Sequence, residues 1–449
     1  MKFIDTIRNI FKIEELRNRI LLTLGFILIY RIGSFVVLPG VDPSQLTQLQ
    51  KQTEEGILGL LNMFSGGAFS NASIFALGIM PYISASIVLQ LLGMALPSLQ
   101  RLQKEGESGR KKINQYTRIL TVIITAVQAP GYLANLTSQI STSAIMMDRT
   151  FFWISSIIIL VAGTMFVMWL GEKITDRGIG NGISLIIMIG IIARLPFAVG
   201  AEIDSRLSGQ GGPVIFLLEI IFLLAIIVGV ILLVQGTRRI PVQVARAAIS
   251  GRTALPQGGS RQFIPLKLNA SGVMPIIFAQ AIMFLPITLA GFSDSTANKF
   301  VLAFADNTGF WYNLVFGTLI VLFTYFYTAI TINSNQMADE MKRSGGFIPG
   351  VKPGRKTAEY IDTVMSRITL PGAIFLALVA IMPAIAMLGG VNNQFSQFYG
   401  GTSLLILVGV VLDTLQQVES HLLMRHYDGL MKSGRIKGRS NNTPVSMAS

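Results

Sequence analysis

The chain has no cysteine, which excludes disulfides and thiolate metal sites. It has two histidines, His421 and His426, both near the C-terminus and outside any apolar run. The His-Glu-x-x-His pattern of a metalloprotease is therefore absent. Charge is the third shortage: Asp, Glu, Lys and Arg make up 13% of 449 residues, against about 25% in a typical soluble chain. A Walker lysine loop is also missing. The stretch "GIGNG" at Gly178–Gly182 lacks the full GxGxxG spacing and a buried strand before it, so it reads as a tight turn into a helix. No catalytic residue, metal ligand or cofactor site emerges. The chain reads as a non-enzyme whose energy comes from a partner or a gradient.

What it has instead is apolar length. Hydrophobic residues make up 51% of the sequence and mean hydropathy is +0.59, the profile of a polytopic membrane protein. Ten spans can be drawn: Ile20–Leu38, Ala72–Leu96, Thr117–Leu136, Phe151–Gly171, Ile183–Val199, Pro213–Val234, Ser271–Gly291, Phe310–Ile332, Ile368–Leu388 and Thr402–Ser420. The first follows Lys2, Arg8, Lys12, Arg17 and Arg19 but runs too long for a cleaved signal, so it is read as a retained helix. Of 36 basic residues, all but Arg31, Lys51, Arg149, Arg194, Arg206 and Lys299 fall in segments on one side. That bias puts both termini in the cytoplasm, as an even number of spans requires. The charges assigned to span interiors are Arg31, Glu219 and Asp413, each near a helix end, with no acidic pair at mid-depth to serve a proton relay.

The fold expected is thus all-α, with ten transmembrane helices in two inverted halves of five joined at Ala201–Gly212. The units are 1–205 (first half), 206–425 (second half) and 426–449 (a polar cytoplasmic tail, read as disordered beyond Arg439). Two long basic loops stand out. Residues 235–269 have flanks of alternating polarity around a Gly/Pro/Ser middle and read as a projecting hairpin. Residues 333–366 carry "MKRSGGFIPGVKPGRKTAEY". Both loops are either docking surfaces or orientation signals lying on anionic lipid, and their length favours docking.

One segment breaks the pattern. Residues 56–64 form an apolar stretch too short to span, followed by "SGGAFSN" and only then by a full-length run. A helix that short has little stability of its own, and its backbone cannot face lipid unsatisfied. It is either a re-entrant filler or a removable stopper.

At this point the residues resemble those of the SecY family. The matching stretches are "YRIGSF", "NMFSGGAFSNASIFALGIMPYISASI", "WLGEKITDRGIGNGIS", "SGVMPIIFAQ", "PGVKPG" and "GGTSLLI", in order along nearly the whole chain. The resemblance implies a channel-forming subunit for secretion and membrane insertion of unfolded proteins, in the cytoplasmic (inner) membrane of a bacterium. It implies a pore ring of Ile79, Ile83, Ile183, Ile187, Ile277 and Ile406. It implies a plug about 56–71, with Leu60, Leu61, Asn62, Met63, Phe64, Ser65, Gly66 and Gly67 at its centre. It also implies a lateral gate between the second and third spans and the seventh and eighth. Ser84, Ser86, Gln90 and Gln280 suit such a seam, with Ala85 and Asn269 nearby. The implied partners are the small subunits SecE and SecG, the motor ATPase SecA, the ribosome and signal sequences. Arg238, Arg239, Arg246, Arg252, Arg261, Lys352 and Arg355 would dock the motor or ribosome. The sequence departs from the family at Lys352, where arginine is usual; lysine keeps the charge and loses the planar fork. The alternative weighed against this is a secondary transporter built on inverted repeats.

Overall fold

The computed structural model describes residues 13–46, 62–139, 145–208, 212–244, 261–290 and 308–432. Leu60, Leu61, Arg246, Arg252, the N-terminal basic cluster up to Lys12 and the tail beyond Lys432 lie outside the described residues. The helices are α1 (Glu14–Gly33), α2 (Met80–Ala95), α3 (Pro97–Lys104), α4 (Glu107–Gln139), α5 (Arg149–Arg177), α6 (Gly182–Leu207) and α7 (Gly212–Gln235). They continue with α8 (Met274–Ala290), α9 (Phe310–Thr331), α10 (Ser334–Arg343), α11 (Arg355–Leu388), α12 (Asn393–Ser396) and α13 (Gly401–Lys432). Strands β1 (Thr237–Val244), β2 (Arg261–Lys267) and β3 (Gly346–Phe347) complete the described elements.

Each of the ten expected spans coincides with a helix, and seven of the described helices are long and apolar enough to cross a membrane. Several boundaries differ from expectation. The second span begins at Met80 rather than Ala72, and Pro81 lies in the first turn of the helix, where its missing N–H costs nothing. Ala72 has φ +46° and Gly78 φ +53°, both outside helical geometry. The first span stops at Gly33 instead of Leu38. Beyond it, Leu38 N donates to the Ala72 carbonyl at 2.8 Å and Ile74 N to the Val36 carbonyl at 2.9 Å, forming an isolated antiparallel bridge between Val37 and Ser73. The helix α6 runs through the expected unit boundary at 205/206, and α13 runs through the one at 425/426.

Helix α11 has 34 residues, about 51 Å at 1.5 Å per residue, far beyond the roughly 30 Å hydrocarbon core. Its first turns therefore stand outside the membrane and support a small domain. There β1 pairs antiparallel with β2, Ile240 facing Ile264, which is the hairpin expected of the first long loop. The second long loop joins it: β3 pairs with β1 to give a sheet ordered β2-β1-β3. Ile240, Val242 and Leu266 pack on Met341, Ile348, Ile361 and Met365 beneath the sheet.

Candidate functional site: a plugged constriction

Asn62 organises the plug segment. Its carbonyl accepts from Gly67 N at 2.8 Å and Ser65 Oγ at 3.1 Å; its Oδ1 accepts from Ser70 N at 3.0 Å. Ser65 Oγ accepts in turn from Phe69 N at 3.1 Å. Gly66 and Gly67 adopt φ +66° and +92°, the left-handed region where a Cβ is penalised. Every residue from Asn62 to Ser70 is buried. The side chains and turns of this stretch thus satisfy much of its own backbone, as a buried non-helical segment requires.

Four side chains from three helices hold it. Tyr30 Oη donates to the Ser65 carbonyl at 3.1 Å and Arg31 Nη1 to the Gly66 carbonyl at 2.9 Å, both from α1. From α4, Tyr132 Oη donates to the Phe69 carbonyl at 3.0 Å. From α6, Arg194 Nη2 donates to Ser70 Oγ at 3.1 Å. A Cβ on Gly190 of α6 would lie 3.0 Å from the Phe64 carbonyl oxygen, so the plug rests against bare backbone there. The family motifs point to this segment but not to the side chains that hold it, and Arg194 is a further charge within a span. A signal existed: Ile183, Ile187, Gly190 and Arg194 follow i, i+4, i+7, i+11 spacing and so share one face of α6.

The isoleucines expected to form a ring gather around the same mass. Ile79, Ile187 and Ile406 are buried in one apolar cluster with Met63, Phe64 and Ala68 of the plug, and half-buried Ile83 and Ile183 pack against it. Ile277 on α8 is half-buried and lies outside that cluster. Ile79 sits just before α2, Ile183 and Ile187 open α6, and Ile406 is in the second turn of α13. Asn181 starts α6 by accepting from Ile183 N and Ser184 N, so "GIGNG" is the expected turn.

Of the seam residues, Ser84 spends its hydroxyl on the Met80 carbonyl of its own helix, at 3.1 Å. Gln90 does reach across: Tyr327 Oη of α9 donates to Gln90 Oε1 of α2 at 3.4 Å. Ser86 and Gln280 are half-buried. Among the described residues α2 packs on α4 and α8 on α9, whereas α2 and α9 barely touch.

On the sheet domain Arg238, Arg239 and Lys352 are exposed, and Arg261 opens β2 opposite Gln243. Arg355 is paired with Glu359 at 3.3 Å. A hydrogen bond and the charge of Lys356, helped by Arg355, hold the Glu359 carboxyl below its ordinary value.

A second buried polar group lies at the far end of α6. Arg206 Nε donates to Glu202 Oε1 at 2.8 Å, and its Nη2 reaches Glu219 of α7 and the Gly390 carbonyl at 2.7 Å. Asn392 N donates to Glu202 Oε2 at 2.7 Å. This cluster ties α6, α7 and the α11–α12 turn together beside the α6–α7 link. Glu219, expected as an isolated charge within a span, is one of its members, while Asp413 is exposed.

The fold is that of the protein-conducting channels. A solved structure of a protein conducting channel aligns over 90% of this chain and 92% of its own with TM-score 0.60 at 16% identity. Another, of a SecY protein whose plug domain stabilises the closed state and maintains a membrane seal, aligns over the same shares with TM-score 0.56 at 16% identity. Sequence similarity then gives the family: the SecY family model matches residues 73–415, and this chain belongs to that family. Protein translocase subunit SecY of Vibrio cholerae is 41% identical, covering 95% of this chain and 96% of the relative. The subunit from Streptomyces scabiei is 44% identical over 94% and 98%, and that from Haemophilus influenzae 44% over 94% and 96%. The transporter alternative finds no support among these relatives.

Proposed function

We propose that this chain forms the pore through which a translocase moves unfolded proteins across a bacterial cytoplasmic membrane and releases membrane segments sideways into lipid. The observation that carries the reading is the shared apolar cluster in which Met63 and Phe64 of the plug meet five of the six ring isoleucines. β-branched side chains have few rotamers and make a stiff collar. A narrow aliphatic constriction dewets and blocks ions without a charged gate. It also offers a passing chain no specific hydrogen bond, so polypeptides of almost any sequence can thread it.

The reading extends to parts that rest on family membership and sequence. The halves divide near the α6–α7 link, and both termini face the cytoplasm. Ile277 completes the ring when a substrate enters, and the α2/α4 face parts from α8/α9 for signal sequences. SecE and SecG are the small membrane partners. The sheet domain, with Arg238, Arg239, Arg246, Arg252, Arg261, Lys352 and Arg355, docks SecA and the ribosome while touching anionic lipid. The relationship to ribosome-bound channels supports the ribosome: the Sec61 channel of a canine ribosome-channel complex shares the fold with TM-score 0.55. Purified chain reconstituted with SecE, SecG, SecA and ATP in vesicles should import a preprotein bearing a signal sequence. Saturable uptake of a small solute, with no preprotein import, would contradict the reading.

A further inference from the structure

Charged side chains inside a membrane domain are costly and are kept where they have a partner. Arg31 and Arg194 are two such charges, on helices that do not belong to one another's turn of sequence, and both are directed at the plug. Arg31 Nη1 lies 2.9 Å from the Gly66 carbonyl oxygen and Arg194 Nη2 lies 3.1 Å from Ser70 Oγ. The fit is local. A Cβ built on Gly66 would stand 2.9 Å from Arg31 Nη1, and one on Gly67 would stand 3.4 Å from Arg194 Nε. The two adjacent left-handed glycines are the places where the guanidinium groups come up to the plug backbone.

We propose that Arg31 and Arg194 are positioning residues that latch the plug in its seat, each through a charge-assisted hydrogen bond. This deepens the channel reading above and rests on it. The latch has two further properties. Three of its four acceptors, counting those of Tyr30 and Tyr132, are main-chain carbonyls, so it reads the shape of the plug turn more than its side chains. All four donors come from α1, α4 and α6, which precede the α6–α7 link, whereas Ile406 of α13 joins Met63 and Phe64 of the plug in the shared apolar cluster. Parting the seam between the halves therefore leaves the latch made. Plug release is a separate step, driven by whatever displaces the two arginines.

The test uses the chain reconstituted with its small subunits. Resting ion conductance is measured without substrate, alongside SecA-driven import of a signal-bearing preprotein. Arg31→Gln and Arg194→Gln should each raise resting conductance about tenfold, the scale of one lost charge-assisted bond. Arg31→Lys and Arg194→Lys should restore the seal to within about twofold of the parent, because each bond needs one cationic donor. Ser70→Ala, which also removes the bond from Ser70 Oγ to the Gly67 carbonyl, should leak as well, and the double variant S70A/R194Q should leak by less than the product of the two single effects. Resting conductance unchanged in both glutamine variants overturns the latch. So does leakage from Ser70→Ala that multiplies with that of Arg194→Gln, or lysine variants that leak as much as glutamine ones. Failure of the parent chain to import preprotein would instead count against the channel reading itself, which the comparison of conductances leaves separate.

Discussion

Ile406 shows how much rests on a single side chain. It is 8% exposed, within the cluster that also holds Ile79, Ile187 and Phe64. An amide there has no partner among those aliphatic neighbours and draws water into the constriction. Ile406→Asn should raise resting conductance and relax the demand for a strong signal sequence; bilayer recordings and export of signal-defective substrates measure both. Gly190 acts by absence. A valine there presses on the Phe64 carbonyl, which lies 3.0 Å from a first added carbon, and packed interiors tolerate such intrusion poorly. Gly190→Val should loosen the plug and increase leak, with Gly190→Ala intermediate. A seal unchanged in the valine variant would mean the plug does not press on α6. The ring residues were legible because four motifs carry isoleucine at matching places. Arg194 went unread although its spacing continues the ring's stripe, because a charge near the end of a predicted span passes for an interfacial residue.

At the scale of elements, the ten apolar runs fixed the existence of helices, and their ends were less legible. The late start of α2 is hidden by a continuous apolar run, and Pro81 alone does not mark it, since Pro130, Pro196, Pro371 and Pro383 lie inside helices. The pairing of residues 36–38 with 72–74 had no local signal, since it joins two segments far apart in sequence. The same holds for the sheet domain: the hairpin was visible in alternation, while the two-residue β3 that joins the second loop to it is too short for any pattern. Between α2 and α9 the Tyr327–Gln90 bond is the described polar link. Tyr327→Phe should ease separation of these helices, seen as slower disulfide formation between cysteines engineered across the seam. It should leave resting conductance unchanged, because the latch holds the plug on the first half. A leak equal to that of Arg194→Gln would show that seam and plug move as one.

For the whole molecule, the Arg206 cluster ties α6, α7 and the α11–α12 turn into one unit. Arg206 is 6% exposed and Glu202 0%. Removing one partner of a buried ionic group leaves uncompensated charge, at about 3–5 kcal/mol. Arg206→Met should lower the thermal stability of the detergent-solubilised protein sharply. Adding Glu219→Gln should recover part of the loss by removing one of the two stranded carboxylates; no recovery would mean packing rather than charge is at stake. The sequence placed Arg206 outside the spans and Glu219 alone within one, because their meeting depends on how α6 and α7 fold back on each other.

The central claim is that an aliphatic collar is the path of the polypeptide. Because the chain has no native cysteine, single cysteines report without background. An export substrate arrested midway, carrying its own cysteine at the constriction, should form disulfides with cysteines at positions 79, 83, 183, 187, 277 and 406, and not with one at Leu217 on the outer surface of α7, which is 62% exposed. Crosslinking at position 217 with none at the six would contradict the account.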